Sequence, residues 1–272
     1  MNLERVVADL AEKVEHRFYG KYRGIVVDNQ DPAKLGRLKL NVPSVLGSDV
    51  VTGWATPCAP YGGADDIGFL FIPDVGAGVW AEFEEGDLEF PIWSGSFWSQ
   101  PNSDTEIPKP NDGSDGSEES SVQDPPTSKI IKTAKGHTLQ FEDADGSEMI
   151  LLREGAKGHF LTMDANGITV ITVTDPNDNT KNNTIKMTSD GITVTDSNTN
   201  TIVMNSDGIT VTDKNTNKIE MTSDGITMTD KTTNTIEMSS SGFNITAMKP
   251  FKIDASGQSI TIIGSAIDLQ KG

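Results

Sequence analysis

Cysteine occurs once in the 272 residues, at Cys58, which rules out an intrachain disulfide framework and any multi-cysteine metal site. Lying between Pro57 and Ala59, Cys58 reads as a buried apolar residue. Aromatic residues make up 6% and hydrophobic residues 35%, too little for one compact core through the whole length. Basic side chains are outnumbered 22 to 40, and a net charge of −18 excludes nucleic-acid binding by phosphate neutralisation. An anionic membrane surface repels such a chain for the same reason. No apolar run approaches the roughly 18 residues of a membrane span, and the acidic N-terminus does not read as a signal peptide. A soluble protein without an export signal is expected. Catalytic patterns are missing as well. The three histidines, His16, His137 and His159, are too scattered for a metal site and read as surface or turn residues. There is no Gly-x-Ser-x-Gly elbow and no Gly-x-x-x-x-Gly-Lys-Ser/Thr loop. The expectation is a non-enzyme with no cofactor.

Four zones separate on composition. In residues 1–19, Leu3, Val6, Leu10, Val14 and Phe18 fall at spacings of three and four, one apolar stripe of a short amphipathic helix. A helix this short is marginal alone, so the stripe needs a surface, on its own domain or on another protein. Residues 20–98 read as a small β-barrel with strands near Arg23–Asp28, Leu38–Val42, Phe69–Ile72, Val79–Phe83 and Phe90–Trp93. Trp54, Trp80, Trp93 and Trp98 all fall here, so the compact core is expected here too. Residues 99–129 are Pro, Ser, Asp, Glu and Gly with almost no apolar side chains, the composition of a solvated linker.

From 130 to 272 the chain repeats. Gly191, Gly208, Gly225 and Gly242 are spaced by 17 residues, and Met187, Met204, Met221 and Met238 keep that period, as do Ile185, Ile202, Ile219 and Ile236. An earlier copy at Asn166-Gly167-Ile168-Thr169 precedes Gly191 by 24, which places an extended loop through Pro176–Asn179. Within a unit, Ile192-Thr193-Val194-Thr195 alternates as a strand with one buried face, and Asp207-Gly208 marks a turn that tolerates positive φ. Threonine fills 20 of the 80 positions from 161 to 240, which suits an outward strand surface. The inward set is Ile192, Val194, Ile202, Met204, Ile209, Val211, Ile219, Met221, Ile226, Met228, Ile236 and Met238.

Each fully buried aliphatic contributes roughly 1.5–3 kcal/mol, against roughly 1–2 kcal/mol for ordering each residue's backbone. About four inward side chains per repeat leave a one-sided meander short of stability unless its face meets identical faces. Three chains wound about a common axis would supply them, with roughly sixteen strands each. A single-chain solenoid is the alternative. It lacks its usual signatures, a six-residue period or Gly-Gly-x-Gly-x-Asp.

An ordered series of short motifs runs through the barrel zone. It comprises Gly24, Asp31-Pro32, Leu35-Gly36-Arg37, Val42-Pro43, Trp54-Ala55, Ile72-Pro73-Asp74-Val75-Gly76, Val79–Phe83, Glu85-Gly86-Asp87, Pro91 and Gly95. With these, residues 20–98 resemble the oligomer-binding (OB) fold domain of the central spike proteins of contractile tails. That family takes in the phage T4 spike, the VgrG proteins of type VI secretion and the spikes of extracellular contractile injection systems. Residues 133–155 are similar to the segment that leads into the VgrG needle. The resemblance implies an all-β chain, an OB-fold barrel followed by an intertwined trimeric β-helix, with a short N-terminal helix. It also implies a homotrimer at the centre of a phage tail-like baseplate, below the inner tube, driven through a target envelope by sheath contraction. A separate hub protein like that of T4 would receive Leu3, Val6, Leu10, Val14 and Phe18. A PAAR-type tip protein would cap an apolar platform of Ile260, Ile262, Ile267 and Leu269. Assembly would take place in the bacterial cytoplasm. The alternative is the stem of a trimeric tail fibre or adhesin that binds a surface receptor.

Overall fold

The computed structural model describes residues 4, 6, 7 and 17–270, and the chain divides into two compact units, 1–107 and 108–272. Of the expected N-terminal stripe, Leu3, Leu10 and Val14 lie outside the described residues, as does His16. Glu4, Val6 and Val7 are helical.

The first unit holds five strands: β1 (Tyr22–Asp28), β2 (Lys39–Asn41), β3 (Thr56–Pro57), β4 (Gly78–Phe83) and β5 (Pro91–Ser96). They order as β2-β1-β4-β5-β3, antiparallel except for the parallel pair β3–β5. An antiparallel bridge between Leu38 and Ala55 closes the ring, with N–H···O distances of 3.1 and 2.7 Å. Closure removes the free edges that a five-stranded sheet would otherwise expose. Alternation sets the inside: Val26 on β1, and Val79, Ala81 and Phe83 on β4, are buried, while Trp80 and Glu82 between them are not. Leu38, Leu40, Val42, Ala55 and Trp93 complete the core. The Trp93 indole N–H is satisfied by the Gly36 carbonyl at 3.1 Å, as a buried donor requires.

The Asp31–Arg37 motif becomes a closed loop between β1 and β2. The Asp31 carboxylate accepts from the backbone of Ala33 and Leu35, and from Arg37 Nε and Nη2 at 3.1 and 2.7 Å. The Arg37 guanidinium is the main reason that this carboxyl sits far below the usual carboxylate range.

Three details differ from the expectation. Phe69–Ile72 is not a strand. Its rings pack within their own loop, Tyr61 on Phe69 and Phe69 on Phe71 at 6.0 and 6.2 Å, and a run without alternation offers no single face to a barrel. The third strand is Thr56–Pro57, two residues that carry no periodic signal. Cys58 is exposed and not buried: its N–H bonds the Trp93 carbonyl at 2.8 Å, which fixes the backbone there without turning the thiol inward.

The second unit is one sheet of thirteen strands in strict chain order, each antiparallel to the next. They are β6 (Ser128–Lys132), β7 (Thr138–Glu142), β8 (Met149–Arg153), β9 (Phe160–Asp164), β10 (Gly167–Thr172) and β11 (Asn183–Thr188), then β12 (Gly191–Thr195) and β13 (Thr201–Asn205). The remainder are β14 (Gly208–Thr212), β15 (Lys218–Thr222), β16 (Gly225–Thr229), β17 (Thr235–Ser239) and β18 (Gly242–Thr246). Thirteen replace the sixteen expected. Residues 247–270 form no strand, because the repeat lapses there: Pro250 lacks an N–H, and Ala255 and Ser259 stand where Met and Gly are due. The hydrogen-bond ladder runs between consecutive strands of one chain. Turns of two to six residues, and one loop of ten between β10 and β11, make these hairpins directly.

Part of the acidic segment is not a solvated spacer. Asn111 is 3% exposed, and it exchanges two hydrogen bonds with the buried Gln140 of β7 at 2.7 and 3.1 Å. Glu118 pairs with Lys132 of β6 at 2.6 Å, and Gly116 lies against the ring of Phe160. Composition misses this docking because it uses backbone, one amide pair and glycine rather than apolar side chains.

Candidate oligomerisation face

The register aligns the repeat into two unbroken columns on one face of the sheet. The first runs Ile131, Leu139, Leu152, Leu161, Val170, Ile185, Val194, Ile202, Val211, Ile219, Met228, Ile236 and Ile245. Every rung is apolar. The second starts at Lys129 and continues through Phe141, Ile150, Met163, Ile168, Met187, Ile192, Met204, Ile209, Met221, Ile226, Met238 and Phe243. All twelve residues expected on the inward face lie in these columns. The rungs before Ile185 and Met187 carry no 17-residue period, because the turns there vary in length.

The opposite face carries Thr193, Thr195, Thr210, Thr212, Thr227 and Thr229, with Lys218, Glu220 and Glu237. Asn111 and the segment around it cover this polar side at its first strands. The apolar side stays open: Ile192, Ile202, Ile209, Val211, Met221, Ile226, Met228, Ile236 and Met238 are each 36–40% exposed. A contiguous apolar patch of this extent marks an interaction surface rather than the scattered exposure of an ordinary monomer. Beyond β18, Pro250 and Phe251 overhang the columns and leave a cavity of about 650 Å³ against Ile219, Met228 and Ile236.

Two devices hold the columns in register. On one edge, Gly167, Gly191, Gly208, Gly225 and Gly242 all have φ between +135 and +142°. On the other edge, the turns are clasped by side chains. Asp196, Asp213 and Asp230 each accept from the side-chain amide of the asparagine four residues on, at 2.6–2.7 Å. Each asparagine then accepts, through Oδ1, the backbone N–H fourteen residues ahead. Asn183 takes Ser197, Asn200 takes Lys214, Asn217 takes Lys231 and Asn234 takes Met248, at 2.7–3.0 Å. One turn is thus tied to the next. The signal was present in the sequence as Asp-x-x-x-Asn at the 17-residue period.

The amide donated by asparagine is the leading cause that lowers all three carboxyls, Asp230 to about 2. A carboxyl with a depressed native pKa stabilises the fold above its ordinary pKa near 4, and that contribution disappears as pH falls towards the native value. The thermal midpoint is therefore expected to drop between pH 4 and pH 2. A D196N/D213N/D230N variant, with two amide groups facing each other in each clasp, should start lower and lose less over that window. Equal acid losses in the two proteins would contradict the clasp.

The other expected site residues are placed differently. Phe18 packs edge-on against Tyr22 and Phe83 of its own barrel at 6.4 and 6.3 Å, and its N–H bonds the Gly86 carbonyl. Phe18 is half-buried within the barrel. Val6 is half-buried. Ile260, Ile262, Ile267 and Leu269 are exposed and lie outside any strand. Among the described residues no group of three or more His, Cys, Asp or Glu side chains is arranged to hold a metal. No described helix is long and apolar enough to cross a membrane.

With the closed five-stranded ring and the Asp31–Arg37 loop in view, comparison with known families is decisive for the first unit. Residues 22–98 match the type VI secretion system/phage-baseplate injector OB domain. The match covers all five strands of the barrel and ends before the thirteen-stranded sheet. No curated protein matches the chain. An OB domain of this kind in the first unit supports a baseplate-injector role, and the chain as a whole is nearly all β.

Proposed function

We propose that the chain is the central spike of a contractile injection particle. Three copies bring their apolar columns together around one axis and form a β-helical needle below the inner tube, which sheath contraction drives through the target envelope. The observation that carries this reading is the fusion of an injector OB domain to a sheet whose two apolar columns stay open along most of their length. Thirteen strands at about 4.8 Å spacing reach roughly 58 Å, long enough to cross the hydrocarbon core of a bilayer, about 30 Å thick. The outward face of Thr, Lys, Glu and Asp keeps such a needle wet, so passage is driven and not spontaneous. No residue of the needle is assigned a catalytic part. A hub protein at the barrel end and a PAAR-type protein at the C-terminal end complete the assembly, which forms in the bacterial cytoplasm before the particle is released or anchored.

The test is localisation on the particle. Immunogold against the chain, on particles purified from the producing cells, is expected to label the axis at the baseplate end. Label on lateral fibres or at their tips would overturn the spike in favour of an adhesin stem.

A further inference from the structure

The column of turn clasps does not begin with asparagine. His159 Nδ1 accepts the Val173 N–H at 3.0 Å, fourteen residues ahead, the same bond that Asn183, Asn200, Asn217 and Asn234 make through Oδ1. One turn earlier, His137 Nδ1 accepts the Gly155 N–H at 3.1 Å. The surrounding turns match too. Thr133 N–H bonds the His137 carbonyl and Glu154 N–H the His159 carbonyl, as Asp196 N–H bonds that of Asn200. The Glu154 carboxylate receives Ala156 and Lys157 N–H, both at 2.7 Å, as Asp196 receives Asn198. The six clasps are one series, in which imidazole replaces amide at the first two places.

The two acceptors differ in one chemical respect. An amide oxygen accepts at any pH of interest. Imidazole is the side chain whose charge ordinarily changes between about pH 5 and 8, and protonation at Nδ1 turns the acceptor into a donor facing another donor. We propose that His137 and His159 make the N-terminal end of the thirteen-stranded sheet an acid-sensitive latch, which loosens in mild acid while the asparagine-clasped strands hold. The charges facing these rings do not neutralise the effect. Arg153 donates to the Gly136 carbonyl at 3.2 Å beside His137, with Lys135 adjacent and the Glu154 carboxylate opposing them. Around the His159 turn, Arg153, Lys157 and Lys186 line the same cleft as Asp115 and Asp175. Glu154, the carboxylate beside His137, is already held by two backbone donors. An imidazole that carries a proton on Nδ1 cannot accept the Gly155 or Val173 N–H, so acid favours opening. The strands affected, β7 to β10, include those on which Asn111 and its segment dock.

Hydrogen exchange on the intact full-length chain reads this directly, compared at pH 7.5 and pH 5.0 after correction for intrinsic exchange rates. At pH 5.0 the depressed carboxyls of Asp196, Asp213 and Asp230 stay ionised, so the asparagine clasps are unchanged. Protection across residues 150–175 is expected to fall roughly five- to tenfold, the size of one lost hydrogen bond, while residues 196–248 keep theirs. An H137N/H159N variant, carrying the residue of the later clasps, should keep full protection at both pH values. A uniform change along both regions, or a double variant with the wild-type pH response, would overturn the latch. Should that variant not fold, the two regions of the wild-type chain decide between latch and no latch.

Discussion

Ile209→Asp is expected to leave the barrel folded and to abolish self-association. Ile209 sits mid-column between Met204 and Met221, and 37% of its surface is open in the single chain. In one copy, the new carboxylate can reach water along that open side, so the sheet itself loses little. Where three copies face one another, three carboxylates meet in a dry axis with no partner, and burying even one unpaired charge costs several kcal/mol. Thr210→Asp is the control: one residue on, it points to the polar face, across from Val203 and Glu220, and should remain assembled. A trimer of ordinary stability from Ile209→Asp would show that the columns do not face each other.

The second large effect is Gly208→Ala. The φ of +135° at Gly208 is one that L side chains rarely adopt, and a Cβ there would stand 1.9 Å from the Met221 carbonyl oxygen. The obstacle is backbone in the adjacent strand, so no rotamer change relieves it and the ladder must part. Gly242 separates the two contributions. Its φ is +137°, yet no atom lies within 4 Å of a Cβ built there, because no strand follows β18. Gly208→Ala should cost roughly 3 kcal/mol or more and Gly242→Ala about 1 kcal/mol, the range for backbone strain alone. Denaturant titration of the two variants decides the matter; equal losses would mean that the dihedral, not the close approach, fixes glycine at these turns.

The repeat was legible because a sheet of equal hairpins writes its register into the sequence: Met204, Met221 and Met238 share a column for the same reason that they share a period. The columns before Ile185 were not legible, since register is set by hydrogen bonding across turns of unequal length, such as the long loop between β10 and β11. In the barrel, the strands with a clean alternation, β1 and β4, could be read directly. Thr56–Pro57 could not, because a two-residue strand has no period, and Phe69–Ile72 misled because aromatic rings can satisfy one another in a loop. The clasps show a different limit. Asp213 and Asn217 are unremarkable polar turn residues until the N–H that Asn217 accepts, on Lys231, is seen to belong to the next repeat. His159 is harder still, since it fills an asparagine's place with different chemistry.

The apolar columns make self-association the central claim, and absolute mass tests it most directly. Light scattering on the purified full-length chain, with an unboiled denaturing gel beside it, is expected to give a particle near three times 29.2 kDa that resists detergent. A particle of 29.2 kDa, stable and monodisperse, would contradict the three-chain needle and leave the open face of the sheet to a different partner.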